Sequence, residues 1–169
     1  MALGSNVGDR EGNLRQAITA IGARTRLVAA SSVYETEPMY REDQGLFLNC
    51  VVVVETDIEP LALLRWLKET EVKMGRDPQA ARNAPRAIDM DILFYGDQVI
   101  SGPSLQVPHP GIAERAFVLV PLEEVRPGLV HPVLGKSVAE LLDGLQTRKG
   151  VVRRPDLLSG LLPSPLRQP

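Results

Sequence analysis

Segments with helical apolar spacing alternate along this chain with strand-like ones, and their order constrains the fold more tightly than any single motif. Met1 to Ser5 reads as a short strand ending in a Gly-Ser-Asn turn. Asp9 then caps a helix whose Leu14, Ala17, Ile18 and Ile21 fall on one face. Leu27 to Glu35 is strand-like, and Leu46 to Glu55 more strongly so. Pro60 suits the first turn of a second helix, where its missing N–H costs nothing. Leu63, Leu67 and Met74 line one face of that helix, and Gly75 suits its C-terminal end. A polar stretch from Arg76 to Arg86 carries Pro78 and Pro85 and is predicted to be a mobile loop. Ile88 to Tyr95 is the next strand. Val107 to Pro121 mixes turn prolines with a short helix, and Ser137 to Leu145 is a last amphipathic helix.

Strand, helix, strand, strand, helix, strand is the split βαβ order of an α+β domain with a ferredoxin-like βαββαβ core. Additional helices and the mobile loop are appended to it. One domain is expected over residues 1–154, with 155–169 as a Pro-rich C-terminal tail that adds little to the core. Such a fold hosts many activities, so the function has to be read from the site.

Nineteen basic residues against 21 acidic ones leave a formal charge of -2. That balance supplies no basic field for nucleic acid and no polybasic stretch for an anionic membrane. Cys50 is the lone cysteine and is flanked by the run Val51–Val54, which predicts a buried thiol in a reducing compartment. The first residues lack a charged region followed by an apolar core, so no signal peptide is expected. No apolar run approaches membrane-spanning length. A cytoplasmic protein with no obligate protein partner is the expectation.

The segment Ala87-Ile88-Asp89-Met90-Asp91-Ile92 alternates as a strand does, so Asp89 and Asp91 share one face and the apolar residues the other. Two carboxylates about 7 Å apart along a strand suit a pair of cations about 4 Å apart. Hard oxygen ligands suit magnesium, and magnesium suits phosphates. The bland alternative is the solvated face of an edge strand. Arg76, Arg82 and Arg86 lead into this strand, and guanidinium groups recognise phosphate oxygens and neutralise charge during phosphoryl transfer. Their alternative is a loop kept soluble by charge. Phe47 and Asn49 share one face of their strand, an aromatic plane beside an amide that together could seat a flat heterocycle. A core phenylalanine beside a turn asparagine is the competing reading. His109 sits between Pro108 and Pro110, where a histidine is usually exposed and could reach a phosphate; His131 is assigned no role.

Taken in order, these pieces resemble one family. The opening Ala-Leu-Gly-Ser-Asn, then Ser-Ser-Val-Tyr-Glu-Thr-Glu-Pro-Met and Phe-Leu-Asn-Cys, match the pattern of 6-hydroxymethyl-7,8-dihydropterin pyrophosphokinases. Glu71 with Met74-Gly75-Arg76, Ala-Pro-Arg-Ala-Ile-Asp-Met-Asp-Ile-Leu, Val-Pro-His-Pro and Arg-Ala-Phe-Val-Leu continue it, and the resemblance runs over roughly residues 1–145. It implies an enzyme of folate biosynthesis that transfers pyrophosphate from ATP to the pterin alcohol and releases AMP. Asp89 and Asp91 would hold two magnesium ions that bridge the triphosphate. The pterin would lie between Phe47 and Phe117, hydrogen-bonded by Asn49 and by backbone near Thr36 and Met39. Glu71, Ile92 and His109 would contact ATP, Arg82, Arg86 and Arg115 its phosphates, and Arg76 would act in the moving loop.

Some positions depart from the family pattern. Ala84 stands where a glycine is frequent, Asn83 where some members have tryptophan, and Pro78 and Gln79 where basic residues occur. Lys68 replaces a frequent glutamine, and Phe47 a tyrosine. Two rival functions remain on the sequence. A nucleotidyltransferase also combines a Gly-Ser turn with an Asp-x-Asp strand, although here Ser5 and Asp89 are 84 positions apart. A non-catalytic pterin- or nucleotide-binding protein would be free to lose the aspartates and arginines that this chain keeps.

Overall fold

Leu48, Asn49, Cys50, Val51 and Val52 are buried at successive positions. A strand hidden on both faces has to sit at the centre of a sheet covered on both sides. The computed structural model, which describes residues 1–39, 43–81, 83–148 and 150–158, places it there. This strand is β4 (Phe47–Glu55) of a mixed α/β architecture built on an antiparallel sheet. The other strands are β1 (Ala2–Ser5), β2 (Arg26–Ala30), β3 (Val33–Thr36), β5 (Asp89–Asp91) and β8 (Val151–Arg154). β6 (Ile100–Ser101) and β7 (Gln106–Val107) form a separate hairpin. The sheet runs β5-β1-β4-β3-β8, with β2 beside the far half of β4.

Among the described residues, four α-helices cover the sheet: α1 (Arg10–Arg24), α2 (Pro60–Lys73), α3 (Ala116–Val125) and α4 (Val138–Asp143). Leu48, Cys50 and Val52 pack with Leu14 and Ile21 of α1 and Leu63 and Leu67 of α2. Val51 points the other way and joins a second core with Leu119 and Leu122 of α3 and Leu141 of α4. The helix ends follow the local chemistry. Asp9 accepts the Gly12 N–H at 2.9 Å, Pro60 opens α2, Gly75 takes the left-handed φ of +94°, and Ser137 with Glu140 forms a capping box. Cys50 is buried as expected, and burial pushes its thiol up to about 12. No helix among the described residues is long and apolar enough to cross a membrane.

Four expectations change. The single strand over Leu27–Glu35 divides into β2 and β3, which pair with different halves of β4. The break falls at Ser31, whose hydroxyl takes the Val51 N–H at 2.9 Å while its own N–H donates to the Val51 carbonyl. The strand over Ile88–Tyr95 shrinks to Asp89–Asp91, because β1 offers ladder partners only from Gly4 to Ala2. The short helix before Pro121 is the ten-residue α3, with Pro121 buried inside it. Its apolar face outweighs the hydrogen bond that proline removes. Finally, β8 extends the sheet edge beside β3, and Leu158 is 1 % exposed within the α1 core, so the start of the expected tail contributes to packing.

One carboxylate ties the two layers together. Glu124 of α3 accepts hydrogen bonds from Ser32 N–H and Oγ, both at 2.8 Å, and from the Tyr34 hydroxyl at 2.9 Å. Arg153 of β8 reaches the same group at 3.3 Å. Burial and this carboxylate push the Tyr34 hydroxyl up to about 12.

Candidate active site

The sheet register aligns chemistry that the sequence scatters. Asp89 of β5 pairs with Gly4 of β1, Gly4 with Asn49 of β4, and Asn49 with Tyr34 of β3. Directly paired residues in an antiparallel ladder project to the same face. Asp89 and Asn49 therefore flank Gly4 on the α3 side of the sheet. A Cβ on Gly4 would come within 2.7 Å of the Asn49 Oδ1. Asn49 is 7 % exposed and donates from Nδ2 to the Thr36 hydroxyl at 2.7 Å, which fixes its carbonyl over the glycine.

Beyond α3 this face opens into a cavity of about 240 Å³. Thr36, Met39, Phe47 and Asn49 wall one side, and Asp89, Asp91, Arg76 and Arg86 the other. His109, Arg115 and Phe117 close it from the N-terminal end of α3. The guanidinium of Arg86 lies 5.7 Å from the centre of the Phe47 ring, and that of Arg115 lies 5.9 Å from Phe117. A second cavity of about 850 Å³ lies at the far end of β4, between Val51–Asp57 and Ile92–Asp97, and is lined by neither Asp89 nor Asp91.

Two expected site residues sit elsewhere, and a third, Arg82, lies outside the described residues. Ile92 is 3 % exposed and belongs to the core with α1 and α2. Glu71 is 1 % exposed beneath β5, where it accepts the Met90 N–H at 2.6 Å, Lys68 Nζ at 2.7 Å and Arg76 at 2.7 Å. It organises the cavity wall from behind and does not line the cavity. Arg76 is likewise anchored rather than carried by a loose loop, through Glu71 and a contact with Asp89.

β5 is an edge strand, so α2 reaches around it. Lys68 lies 3.3 Å from Asp91 and 3.8 Å from Asp89, and also donates to the Met90 carbonyl at 3.0 Å. Sequence reasoning passed over Lys68 as a site residue; the signal was its spacing of three from Glu71, one helical turn away. Asn6 and Gln44 were missed too. Asn6 takes the Arg86 N–H at 2.8 Å and donates to Gln44, which in turn donates to the Asn83 carbonyl at 3.4 Å. These bonds seat the end of the 76–86 loop on the turn after β1.

Burial works against ionisation of Asp89, yet Arg86, Arg76 and Lys68 outweigh it and hold the carboxyl below its ordinary range. Burial pushes Glu71 up against the pull of Lys68, the Met90 N–H and Arg76. Lys68 is held above its usual value, because Asp91, Glu71 and Asp89 overcome the cost of burial. Burial lowers His109, which is half-buried rather than exposed and accepts the Gly111 N–H on Nδ1 at 3.1 Å. A neutral ring with that bond carries its proton on Nε2. The Nε of Arg86 is buried without a hydrogen-bond partner, 3.5 Å from Asp89. His131 has a turn role, accepting the Val133 and Leu134 N–H groups. No group of three or more His, Cys, Asp or Glu side chains among the described residues can hold a metal.

The chain is similar to known proteins over most of its length. It is 43% identical over 127 residues to the 2-amino-4-hydroxy-6-hydroxymethyldihydropteridine pyrophosphokinase of Bacillus subtilis, covering 74% of this chain and 75% of that one. It is 39% identical over 134 residues to the folic acid synthesis protein FOL1 of Dictyostelium discoideum, covering 79% of this chain and 20% of that one. The chain thus spans about a fifth of the length of the first curated relatives it matches. Among solved structures, Plasmodium falciparum HPPK-DHPS wild type with pteroate shares the fold, with a TM-score of 0.64, 20% identity, and coverage of 84% of this chain and 41% of that one. Gly4 and Asp89, far apart in sequence, are paired across the sheet, so sequence separation of the Gly-Ser turn from the aspartates does not by itself exclude a nucleotidyltransferase. The family profile decides between them. It matches residues 1–127, and the chain belongs to the family of 7,8-dihydro-6-hydroxymethylpterin-pyrophosphokinase (HPPK).

Proposed function

We propose that this chain transfers the terminal pyrophosphate of ATP to the hydroxymethyl group of 6-hydroxymethyl-7,8-dihydropterin, giving AMP and the pterin diphosphate for folate synthesis. The observation that carries the reading is the row Asp89–Gly4–Asn49 beneath one cavity, with phenylalanines on its walls and arginines beside the aspartates. The strand order β5-β1-β4-β3, with α1 and α2 on one face, supports the finer description of the core as ferredoxin-like.

The pterin stacks between Phe47 and Phe117, with Asn49 and the backbone around Thr36 and Met39 reading its edge. A β-carbon at position 4 would fill part of that seat. Asp89 and Asp91 fit magnesium as two hard carboxylates that leave its other positions to phosphate oxygens. Bound there, two magnesium ions would supply charge neutralisation to the triphosphate. Arg86 and Arg115 take phosphate oxygens, which would give the buried Arg86 Nε the acceptor it lacks. Arg82 would join them. His109, neutral, offers an Nε2 proton to the nucleotide. The chain's contribution is positioning and electrostatics: the pterin hydroxyl oxygen is aligned with the β-phosphorus, the P–O bond to AMP breaks, and the hydroxyl proton leaves to solvent.

Incubation with ATP, magnesium and the reduced pterin tests this. AMP should appear in step with a pterin diphosphate. Formation of ADP would mean an ordinary kinase and pyrophosphate a nucleotidyltransferase, and either would overturn the assignment.

A further inference from the structure

Lys68 occupies the place between the aspartates where a cation is needed. Its Nζ lies 2.7 Å from Glu71, 3.3 Å from Asp91 and 3.8 Å from Asp89, while the Met90 carbonyl accepts a fourth contact. Arg76 and Arg86 pair with Asp89 from the other side. Three cations (Lys68, Arg76, Arg86) face three anions (Glu71, Asp89, Asp91), so the cluster sums to zero before any metal arrives. Glu71 is fully engaged and cannot turn to a metal without unseating Met90, Lys68 and Arg76. A free divalent ion would therefore find two carboxylates already neutralised and, among the described residues, no third His, Cys, Asp or Glu grouped with them to hold it.

We propose that Lys68 is a tethered counter-cation of the Asp89–Asp91 pair, displaced when metal and polyphosphate arrive together rather than by metal alone. The inference rests on the transfer reading and concerns a residue that reading leaves without a role. Lys68 is suited to the exchange. It lines the cavity, its side chain is 39 % exposed, and its flexible stem lets the ammonium move from Asp91 to a phosphate oxygen. The nucleotide brings the negative charge that the neutral cluster lacks. Metal and nucleotide would then bind as one unit, and the empty site would stay ordered without either. With glutamine at this position the same cluster would carry one net negative charge and attract free metal.

The test uses the nucleotide-free protein with Mn²⁺ as the probe, free ion being counted by electron paramagnetic resonance. Lys68→Gln should tighten Mn²⁺ binding by about tenfold or more, because a unit charge about 4 Å away acts at that level even when well screened. Lys68→Arg should leave it near the unmodified value. Equal affinity for the unmodified protein and Lys68→Gln overturns the proposal. Should Lys68→Gln not fold, the unmodified protein decides. The ¹⁵N resonance of the Lys68 ammonium should stay in place on adding magnesium and move when a non-hydrolysable ATP analogue is added with it. A shift with magnesium alone overturns the proposal. The products of the transfer assay are read separately, so AMP formation with unaltered Mn²⁺ binding would remove the counter-cation and leave the transferase standing.

Discussion

Gly4→Ala is the smallest change that separates the proposed pterin seat from the rest of the molecule. The new methyl would lie 2.7 Å from Asn49 Oδ1 and 3.8 Å from the Phe47 ring. The amide cannot simply retreat, because Asn49 is 7 % exposed and tied to Thr36 at 2.7 Å. Relief requires rotating the amide and breaking that bond, worth about 1 kcal/mol, with a further overpacking cost of about 1–2 kcal/mol. Against this, alanine loses less chain entropy than glycine in a strand, a gain of about 0.5–1 kcal/mol. The net expectation is a loss of about 1–2.5 kcal/mol, which leaves the protein folded. Pterin affinity should fall by about tenfold or more as the amide leaves its post. Affinity for an ATP analogue should change little, since the clash is on the Asn49 side of the row. Urea denaturation and calorimetric titration of both ligands measure these effects. Adding Asn49→Ala should remove most of the stability penalty of Gly4→Ala, because the clashing atom is gone. Native pterin affinity in a folded Gly4→Ala protein would refute the reasoning.

Four further outcomes are expected. Asp89→Ala or Asp91→Ala should cut kcat by orders of magnitude with the fold intact, as seen by product formation beside circular dichroism. Asp89 has its folded pKa below the ordinary 3.8, so its stabilisation is present above that pH and lost as pH falls through the lower folded value; Asp89→Asn should flatten the drop in urea midpoint below about pH 4. Phe47→Ala and Phe117→Ala should each weaken pterin binding by about 1 kcal/mol or more while sparing ATP, whereas equal loss of both ligands would make the rings core residues. Asn83 has φ +61°, a conformation asparagine tolerates and tryptophan does not. Asn83→Trp should therefore destabilise by about 1 kcal/mol, and Asn83→Gly should be near neutral by thermal denaturation.

Local rules made the two long helices legible, because Asp9, Pro60, Gly75 and the spacing of Leu14, Ile18 and Ile21 act within a few residues of themselves. The Asp89–Asp91 and Phe47–Asn49 faces were legible for the same reason, since alternation is a property of one strand. Register was not. Nothing local places Gly4 opposite both Asn49 and Asp89, and that juxtaposition makes the site. Ser31 broke one expected strand by lending its hydroxyl to a neighbouring ladder, a contact made with β4 and invisible in sequence. The resemblance put Glu71 at the nucleotide, and its burial under β5 was not legible because it depends on how α2 docks. Pro121 looked like a turn, since the burial that carries it inside α3 is supplied by other elements. β8 is four residues long and pairs with β3 across more than half the chain, beyond the reach of periodicity.

The Glu124 junction has a consequence for ring selectivity. Phe117 and Glu124 ride on the same helix, Phe117 at the mouth of the cavity and Glu124 at the opposite end. Phe47 and Thr36 are paired across β4 and β3, and β3 carries Tyr34, one of the hydroxyls that grip Glu124. One jaw of a caliper is therefore screwed to the other at a point remote from its tips. On the proposed pterin seat between Phe47 and Phe117, the spacing of the two rings is a gauge set when the chain folds. Ligands thicker than one aromatic ring would be refused at the mouth before any loop responds. Loosening that screw would widen the gauge without touching a residue that meets the ligand.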